Sequence, residues 1–571
     1  MRTTSVVGLV LASLGCLGGI VACGDDDASS SAPAEEDAGA DARPGATPVA
    51  DGGETPVDAG AADGATTDGA TTDPDAGPDA APVDVDPPVV TIVSPREDLA
   101  IAERRFVVTG TATDDVGVTA LSYVVGSGTP VTVPVAADGS YSFSFVPAPG
   151  RNTFTVTAVD ATGKEATSTR SAYFGHRIST GNSQAAMISG GQLFTWGRNE
   201  LGQLGNGTLV GTWSSDDSVV LPKMYPQAAA DLVSIVTRQT FMIALAADGT
   251  VRTWGSNSDG QLGYATPADC GSNGTSPCGR EPATVPGITD AVAVAAGFNH
   301  ALVLRADGTV LAFGRNEKGA LGLAGGTGAS TSTPTAVAGL SNVIALGAGS
   351  QGSLALTSEG KVFVWGSNQY GQLGDGTMDT SDHPVPTEVP GLVAGSIAGA
   401  NYTVLARRLD GTVAAWGQNN NGQVGNGTQT TVSTPTTVLV SVAADGVPAA
   451  PLTGIESIAA DGFVSLALDR EGNAHAWGMG SLGQLGQGLT DSGQRDLANR
   501  LVASPVFVPA ADKPSFVVLE LEVGAGGPAF VRTTEQKLYG WGWSFQGSLG
   551  GGTALLNAWA YTTPILVHPV P

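Results

Sequence analysis

The sequence is poor in the residues on which most catalytic and nucleic-acid-binding sites depend. Its 571 residues include only five histidines and four cysteines, and charged residues make up 14%. Lys and Arg number 26 against 53 Asp and Glu, and the net charge of −27 disfavours nucleic acid as a partner, because phosphate contacts need a basic surface. There is no Gly-x-Ser-x-Gly or His-Glu-x-x-His motif, and the histidines lack metal-ligand or catalytic spacing. We therefore expect no cofactor and no enzymatic activity.

Residues 1–22 have the features of an export signal. Arg2 supplies a positive start, and residues 6–22 are uncharged but too short and glycine-rich for a spanning helix, which needs about 20 apolar residues. The run ends at Cys23, followed by Gly and three Asp, and this resembles a bacterial lipoprotein signal with Cys23 lipidated. An ordinary secretory signal and lipidation at Cys16 are the alternatives. The sequence predicts export and an N-terminal lipid anchor to a membrane of the bacterial cell envelope, with surface exposure.

Residues 23–87 form an acidic segment of low complexity. They are rich in Ala, Asp, Gly, Pro and Thr, and residues 24–87 contain 17 acidic side chains and one arginine. This composition buries too little apolar surface to offset the entropy of ordering, and like charges extend the chain. We expect a disordered linker.

Residues 88–175 alternate large apolar and small polar side chains with period two, as half-buried antiparallel strands do. Turn signals such as Pro149-Gly150 separate about seven strands, and the segment resembles the immunoglobulin-like β-sandwich of bacterial surface proteins in architecture. Carboxylates at the ends of such modules sometimes bind Ca²⁺, although Asp before Gly is more often turn chemistry. The weak calcium candidates are Asp114, Asp115 and Asp160.

Residues 176–571 repeat an aromatic-Gly pair, a polar stretch and a variant of Gly-Gln-Leu-Gly seven times. Successive pairs are 51 to 64 residues apart, and each repeat contains about four short strands, which predicts one blade of a β-propeller. The array starts without a proline-containing fourth strand and ends with one at 563–567, so we expect this C-terminal strand to complete the first blade. The pairs are Trp196-Gly197, Trp254-Gly255, Phe313-Gly314, Trp365-Gly366, Trp416-Gly417, Trp477-Gly478 and Trp541-Gly542.

The twelve residues 197–208, Gly-Arg-Asn-Glu-Leu-Gly-Gln-Leu-Gly-Asn-Gly-Thr, closely resemble the repeat of the regulator of chromosome condensation family. The segments 366–377 and 417–428 carry the same pattern. The resemblance covers about 178–571 and implies a seven-bladed propeller. The predicted fold class is therefore all-β: a seven-bladed β-propeller preceded by an Ig-like β-sandwich and a disordered acidic linker.

The sequence departs from that family at the histidine that often precedes the second strand of a repeat. Only His300 keeps it, and Gln184 and Tyr402 stand in the corresponding places. We interpret His300 as a structural residue. The family's nucleotide exchange on a small GTPase remains an alternative function by resemblance alone, because an export signal and a non-basic array do not suit it.

Cys270 and Cys278 enclose seven residues without His, Asp or Glu, which favours a loop-stapling disulfide over a metal site. Long insertions follow the Gly-Gln-Leu-Gly turns, and we expect them on one face of the propeller. They occupy 210–225, 264–282, 432–452 and 487–504. Aromatic residues on such a rim are candidate binding anchors, although each can instead pack its own loop. The candidates are Trp213, Tyr225, Trp559 and Tyr561.

Together these features predict a non-enzymatic, monomeric lipoprotein whose propeller face binds a protein or glycan. A hydrolase with its site in the propeller channel is a further alternative, for which the repeats show no catalytic motif.

Overall fold

The computed structural model describes residues 86–181, 183–209, 221–224, 231–270, 274–323, 328–399, 401–441, 449–490, 492–509, 512–524, 528–544, 547–551 and 560–567. The predicted signal, Cys23 and nearly all of the predicted linker lie outside these residues, as do Trp213, Tyr225 and Trp559. No helix in the described ranges is long and apolar enough to cross a membrane.

The first folded part is a two-sheet β-sandwich, as the period-two pattern predicted. Its strands are β1 (Val89–Ser94), β2 (Ala100–Ile101), β3 (Phe106–Thr113), β4 (Val118–Val125), β5 (Val131–Thr132), β6 (Ser140–Phe145), β7 (Gly150–Asp160) and β8 (Glu165–Phe174). One sheet has the order β1-β3-β6 and the other β2-β8-β7-β4-β5. Along β3 alternate residues are buried, and Val108 packs with Phe154 and Val156 of β7 between the sheets. Alternation thus places one face of each strand in the core.

The second part is a propeller of seven four-stranded blades. The strands of blades 1 to 3 are β9 (Ile178–Thr180), β10 (Gln184–Ser189), β11 (Gln192–Gly197), β12 (Lys223–Met224), β13 (Leu232–Arg238), β14 (Phe241–Ala246), β15 (Val251–Ser256), β16 (Ala268–Cys270), β17 (Ser276–Thr284), β18 (Ala291–Ala296), β19 (His300–Arg305), β20 (Val310–Gly314) and β21 (Thr331–Ala336). Blade 2 carries β16 as an additional outer strand, and a 3₁₀ turn occupies Glu317–Gly319.

Blades 4 and 5 share one long strand, β25, whose first part closes blade 4 and whose last part opens blade 5. The strands of blades 4 to 7 are β22 (Val343–Ala348), β23 (Gly352–Thr357), β24 (Lys361–Ser367), β25 (Asp382–Gly399), β26 (Thr403–Arg408), β27 (Val413–Gly417), β28 (Val432–Thr437), β29 (Leu439–Ser441), β30 (Ala450–Pro451), β31 (Ile455–Asp461), β32 (Val464–Asp469), β33 (Ala474–Gly478), β34 (Arg500–Pro505), β35 (Val518–Val523), β36 (Ala529–Thr533), β37 (Leu538–Gly542) and β38 (Tyr561–Leu566).

The ring closes differently from the sequence prediction. The C-terminal strand β38 pairs with β37 of blade 7, with Tyr561 opposite Gly542, and does not join blade 1. Blade 1 already has four strands of its own, in the order β12-β11-β10-β9. Closure comes instead from side chains, because Trp196 of blade 1 packs against Phe530 of blade 7 at a ring distance of 5.9 Å. The expectation of strand exchange was wrong because every repeat supplies a complete blade.

Tryptophans of the repeat join neighbouring blades by a hydrogen bond that we call the indole latch. Six indole Nε1 groups donate to a main-chain carbonyl in the Gly-Gln-Leu-Gly turn of the preceding blade, at 2.8 to 2.9 Å. Blade 3 has Phe313, which cannot donate. The donor and acceptor residues are Trp196 and Ser548, Trp254 and Gln203, Trp365 and Ala320, Trp416 and Gln372, Trp477 and Gln423, and Trp541 and Gln484.

The polar residues of the motif hold the turn itself. In blade 1 the Asn199 Oδ1 accepts the amide of Leu204 at 2.9 Å, and the Gln203 Oε1 accepts the amide of Leu201 at 2.8 Å. Leu204 is thereby held in the core between blades. Equivalent asparagine bonds occur in four more blades, at Asn257, Asn316, Asn368 and Asn419. The motif therefore specifies the turn of each blade.

Candidate binding surface at the open face

The sandwich packs on one end of the propeller through the segment between β1 and β3. Arg96 forms an ion pair with Glu456 of blade 6 at 2.8 Å. The Arg104 amide donates to the carbonyl of Ile344 in blade 4 at 2.8 Å, and its guanidinium donates to the carbonyl of Ala306 in blade 3 at 2.7 Å. These contacts reach the starts of the innermost strands and the turns between second and third strands. We call this end the docked face and the opposite end the open face.

A buried ion cluster fixes the sandwich on the docked face. Asp98 of the sandwich, only 5% exposed, accepts from Arg177 at 3.1 Å and from Arg532 at 3.2 Å. Glu520 of blade 7 accepts the main-chain amide of Arg177 at 2.6 Å and lies 3.3 Å from Arg532. Burial raises the pKa of Glu520, and Arg177 opposes that rise. Removing one partner of such a cluster leaves a buried charge uncompensated, which costs about 3–5 kcal/mol.

The innermost strands of all seven blades line an axial channel that the sandwich closes from the docked face. Residues Ala100 to Glu103 of the sandwich form part of its wall, and Arg238 lies toward the open face. The cavity in the channel measures about 100 Å³, which is room for a few water molecules at about 30 Å³ each. His176 faces this cavity, and its pKa is lowered to about 4 by burial and by Arg238. The channel is therefore too small for a sugar or peptide substrate.

An ion pair crosses the channel at its open-face end. Arg238 of blade 2 donates to Asp461 of blade 6 at 2.6 Å, and its Nε donates to the carbonyl of Ala296 at 3.0 Å. Asn401 of blade 5 donates to the other oxygen of Asp461 at 3.2 Å. Burial raises the pKa of Asp461, while Arg238 and Asn401 oppose that rise. The pair ties four blades together across the axis.

Glu522 lies beside this ion pair with a weaker partner. Its Oε1 accepts a long hydrogen bond of 3.4 Å from the Ser179 hydroxyl. Burial raises the pKa of Glu522 to about 8, with Arg238 lowering it and Asp461 raising it further. At neutral pH this side chain is therefore mostly protonated. Raised pKa values occur at catalytic sites and also in structural ion clusters, and the small closed channel favours the structural role here.

Three aromatic side chains meet on the open face, and we call them the aromatic cluster. Tyr402 and Phe463 lie in the turns between the first two strands of blades 5 and 6, and Tyr370 lies in the motif turn of blade 4. The Tyr402 and Phe463 rings stack with their centroids 5.7 Å apart and an angle of 23° between their planes. Tyr370 meets Tyr402 edge-on, with a centroid distance of 5.6 Å. All three are half-buried. Adjacent to them, Asn401 connects the cluster to the axial ion pair.

The sequence alignment missed the aromatic cluster by one residue. That alignment matched Tyr402 of blade 5 with His300 of blade 3. In the structure His300 pairs with Gly314, and the residue that pairs with the equivalent glycine of blade 5, Gly417, is Thr403. Tyr402 therefore belongs to the turn and not to the strand. An aromatic residue directly before the second strand, in two successive repeats, was the available signal. His300 itself is buried and bonded to Ser353 at 2.9 Å, and burial lowers its pKa to about 4, which agrees with a structural role.

Tyr561 is the one proposed rim anchor that the structure describes. It is half-buried at the start of β38 and packs against the hydrophobic cluster between blades 1 and 7. Burial raises the pKa of its hydroxyl. Trp213, Tyr225 and Trp559 lie outside the described residues. Tyr561 thus contributes to packing and is not a projecting anchor.

The insertions do not all leave the same face. We expected the insertion 432–452 on the face of the motif turns. Its first residues form strand β28, and the β29-β30 hairpin follows the end of β28 that lies away from the motif turns. The β16-β17 hairpin of blade 2 lies at the motif-turn end, and a disulfide joins Cys270 to Cys278 there with a Cα separation of 6.0 Å. The disulfide staples this loop, as the spacing of the cysteines suggested.

The calcium candidates act as turn residues. Asp114 Oδ1 accepts the amides of Val116 and Gly117 at 3.0 Å, and Asp160 Oδ1 accepts the amides of Thr162 and Lys164. In the described ranges no three His, Cys, Asp or Glu side chains are grouped closely enough to hold a metal ion. Asp115 forms no such group either. Asp114 and Asp160 thus hold the turns that follow them.

Comparison with known proteins matches both folded parts. The RCC1-like domain family matches residues 217–568, the regulator of chromosome condensation (RCC1) repeat matches 190–235, and glucodextranase domain B matches 88–174. The chain is 28% identical to the ultraviolet-B receptor UVR8 of Arabidopsis thaliana over 337 residues, which is 58% of this chain and 71% of that protein. It is 29% identical to the E3 ubiquitin-protein ligase HERC2 of Mus musculus over 43% of this chain, but spans only 5% of that protein.

A solved structure shows the same propeller fold. The complex of Kap60 bound to yeast RCC1 (Prp20) superposes on 66% of this chain and 83% of that chain, with a TM-score of 0.53 and 22% identity. The repeat motif, the seven blades and a family match over more than half of the residues agree. The chain belongs to the RCC1-like domain family.

Proposed function

We propose that the chain is a non-enzymatic, monomeric binding protein whose open face binds a protein partner at the aromatic cluster. The observation that carries the proposal is the contact of Tyr370, Tyr402 and Phe463 at the end of the propeller that the sandwich leaves uncovered. Aromatic side chains supported by a rigid scaffold are the usual anchors of protein interfaces. In the yeast structure Kap60 is bound to RCC1 (Prp20), which supports the use of this fold for protein binding.

The ring geometry favours a protein over a glycan. Sugars stack on an accessible aromatic face, whereas Tyr402 and Phe463 cover each other's faces at 23° and Tyr370 covers part of Tyr402. The remaining surface of these three rings can pack against side chains of a protein partner. Hydrolysis inside the propeller is disfavoured because the channel cavity of about 100 Å³ is closed by Ala100 to Glu103. Nucleotide exchange rests on family resemblance, and no feature of the open face adds to it.

The proposal includes export and lipid anchoring at Cys23. The disulfide between Cys270 and Cys278 supports an oxidising compartment. The chain enters the sandwich at Val89, which pairs with Thr113, whereas the other end of β1 leads into the segment that contacts the propeller. An N-terminal tether would therefore join the end of the sandwich remote from the propeller and leave the open face accessible.

Site-specific crosslinking tests the binding surface. A photoreactive amino acid replaces Tyr402 in the full chain, expressed in the native cells, and the matched control replaces Phe507, which is 46% exposed and follows β34 toward the docked face. We expect a protease-sensitive adduct from position 402 only. With that partner purified, Tyr402→Ala and Phe463→Ala should weaken binding about 30-fold, the effect of a 2 kcal/mol hot spot, while Phe507→Ala leaves it unchanged. Equal adducts from both positions, or a glycosidase-sensitive adduct, would contradict protein binding at this face.

Cell fractionation tests the anchor separately. The wild-type chain should sediment with membranes and be cleaved by protease added to intact cells, whereas Cys23→Ala should be released into the soluble fraction. A wild-type chain that remains soluble inside the cell would overturn the anchor and restore nucleotide exchange as a candidate. Sedimentation velocity of the purified chain measures its oligomeric state.

A further inference from the structure

A second cleft lies between the sandwich and blades 4 to 6 on the docked face, far from the aromatic cluster, and we call it the junction cleft. It has a volume of about 360 Å³, large enough for a group the size of one sugar ring. Arg105 reaches it from the sandwich, and Arg407 and Arg470 reach it from blades 5 and 6. The cleft therefore brings three guanidinium groups from separate elements to one small space.

Among the described residues these three arginines have no carboxylate at ion-pair distance, although Glu103 and Glu456 lie near enough to Arg407 to interact with its charge. Within the described part of the chain none of them forms an ion pair, in contrast with nearby Arg96, which is paired with Glu456 at 2.8 Å. Arg105 donates only to the carbonyl of Ser358, at 3.0 Å. The Nε of Arg407 is buried and lacks a hydrogen-bond partner among the described residues. A buried N–H without an acceptor destabilises the folded state, and more so when the group is charged.

The acidic residues of the cleft cannot supply the missing acceptors. Glu103 is 6% exposed, and burial raises its pKa although Arg407 opposes the rise. Glu456 is committed to Arg96; burial raises its pKa, and Arg96, then Arg470 and Arg407, oppose this. Glu359 points outward and is 64% exposed. In the described part of the chain none of these three carboxylates lies at ion-pair distance from Arg105, Arg407 or Arg470.

We propose that the junction cleft binds an oxyanion, a carboxylate, sulfate or phosphate group, with Arg407 and Arg470 as its principal donors and Arg105 closing it from the sandwich. Guanidinium groups hold such anions through paired, charge-assisted hydrogen bonds, which are strongest where water is excluded. The bound anion supplies an acceptor for the buried Nε of Arg407. It also bridges the sandwich to the propeller. This site is independent of protein binding at the open face.

Calorimetric titration of the purified full-length chain tests the site. The probes are inorganic phosphate, sulfate and glucuronate, each in a buffer of low ionic strength, so that the three headgroup chemistries are distinguished. The variants are Arg407→Gln and Arg470→Gln. The matched control is Arg315→Gln, since Arg315 is a half-exposed arginine paired with Glu317 away from the cleft.

We expect at least one probe to bind with one-to-one stoichiometry to wild type and to Arg315→Gln. Both cleft variants should weaken its binding at least tenfold. Arg470 is exposed at the rim, so Arg470→Gln keeps the test valid even where Arg407→Gln impairs folding. Binding of equal strength in Arg470→Gln and wild type would overturn the proposal, as would the absence of saturable binding by all three probes. Tighter binding of glucuronate than of both inorganic ions would identify an acidic sugar as the ligand class. Tighter binding of phosphate or sulfate than of glucuronate would identify a phosphorylated or sulfated group.

Discussion

Trp416 offers a direct test of the indole latch. Its side chain is fully buried, and its Nε1 donates to the carbonyl of Gln372 in the preceding blade at 2.8 Å. In Trp416→Phe the carbonyl loses its donor inside the core, which costs about 1–3 kcal/mol. The smaller ring also leaves a cavity, which adds about 1 kcal/mol at 24 cal/mol per Å³. We therefore expect the free energy of unfolding to fall by about 2–4 kcal/mol.

Blade 3 provides the reciprocal variant. Phe313 occupies the tryptophan position there and lies against the same glycine of the preceding motif turn. A Cβ on Gly263 would lie 3.1 Å from the Phe313 ring, and a Cβ on the equivalent Gly374 would lie 2.8 Å from the Nε1 of Trp416. Phe313→Trp should therefore point an indole N–H at the turn of blade 2 and stabilise the protein by about 1 kcal/mol, the net value of one hydrogen bond.

Urea denaturation followed by far-UV circular dichroism measures both changes, and hydrogen exchange locates them to the blade. The latch would be refuted if Trp416→Phe cost less than about 0.5 kcal/mol and Phe313→Trp slowed no amide exchange at the junction of blades 2 and 3.

Three further changes test the interior and the loops. Burial raises the pKa of Glu522 to about 8 from an ordinary 4.5, so the stability of the wild-type protein falls as the pH rises from 4.5 to 8. Glu522→Gln should therefore be more stable than wild type by up to about 5 kcal/mol at pH 9 and little different at pH 4.5. Thermal melts at both pH values measure this difference. Asp98→Ala leaves Arg177 and Arg532 buried with Glu520 as their remaining carboxylate, so we expect a loss of about 3 kcal/mol, the low end of the cost of breaking a buried ion pair, and faster proteolysis between sandwich and propeller. Dithiothreitol should lower the melting temperature of wild type but not of Cys270→Ser, because the disulfide closes a short loop that contributes about 2 kcal/mol.

The number of blades and the sandwich could be predicted from the sequence because both depend on local periodicity. Seven aromatic-Gly pairs correspond to seven third strands, and each pair lies at the end of its strand or one residue before it, as Trp365 and Gly366 do in β24. The alternation in β3 likewise appears as alternate burial of its residues. Both patterns can be recognised within a single strand, so predicting these strands requires no information about residues that are distant in the sequence.

Strand partners and turn registers were less predictable because they depend on counting whole repeats. The sequence pattern did not reveal the outer strand of the first blade, because β12 is only Lys223–Met224 and a long insertion separates it from β11. The alignment of Tyr402 with His300 failed because the glycine before the second strand lies one position earlier in blade 5, at Gly399, than in blade 3, at Gly297, while the two turns have the same length. One residue decides whether a side chain enters the sheet or the surface.

The ion clusters could not be predicted at all from sequence spacing. Arg238 and Asp461 are 223 residues apart, and Arg532 and Asp98 are 434 apart. Only ring closure brings such positions together, since all seven innermost strands contribute residues to the axis. The arginines of the junction cleft share this property, because one comes from the sandwich and two from different blades.

Comparison of the seven blades shows where recognition can vary without loss of the fold. The residue directly before the second strand is Ser183, Thr240, Asn299, Gln351, Tyr402 or Phe463 in the first six blades, whereas the aromatic-Gly position is nearly uniform. The uniform position is buried and forms the latch, so its chemistry is restricted. The variable position lies on open-face turns, where its side chain does not have to fill the core between blades. Binding specificity in this propeller should therefore be encoded by that ring of turn residues, and exchanging Tyr402 and Phe463 for the Thr and Gln of other blades should change the partner without changing the melting temperature by more than a few degrees.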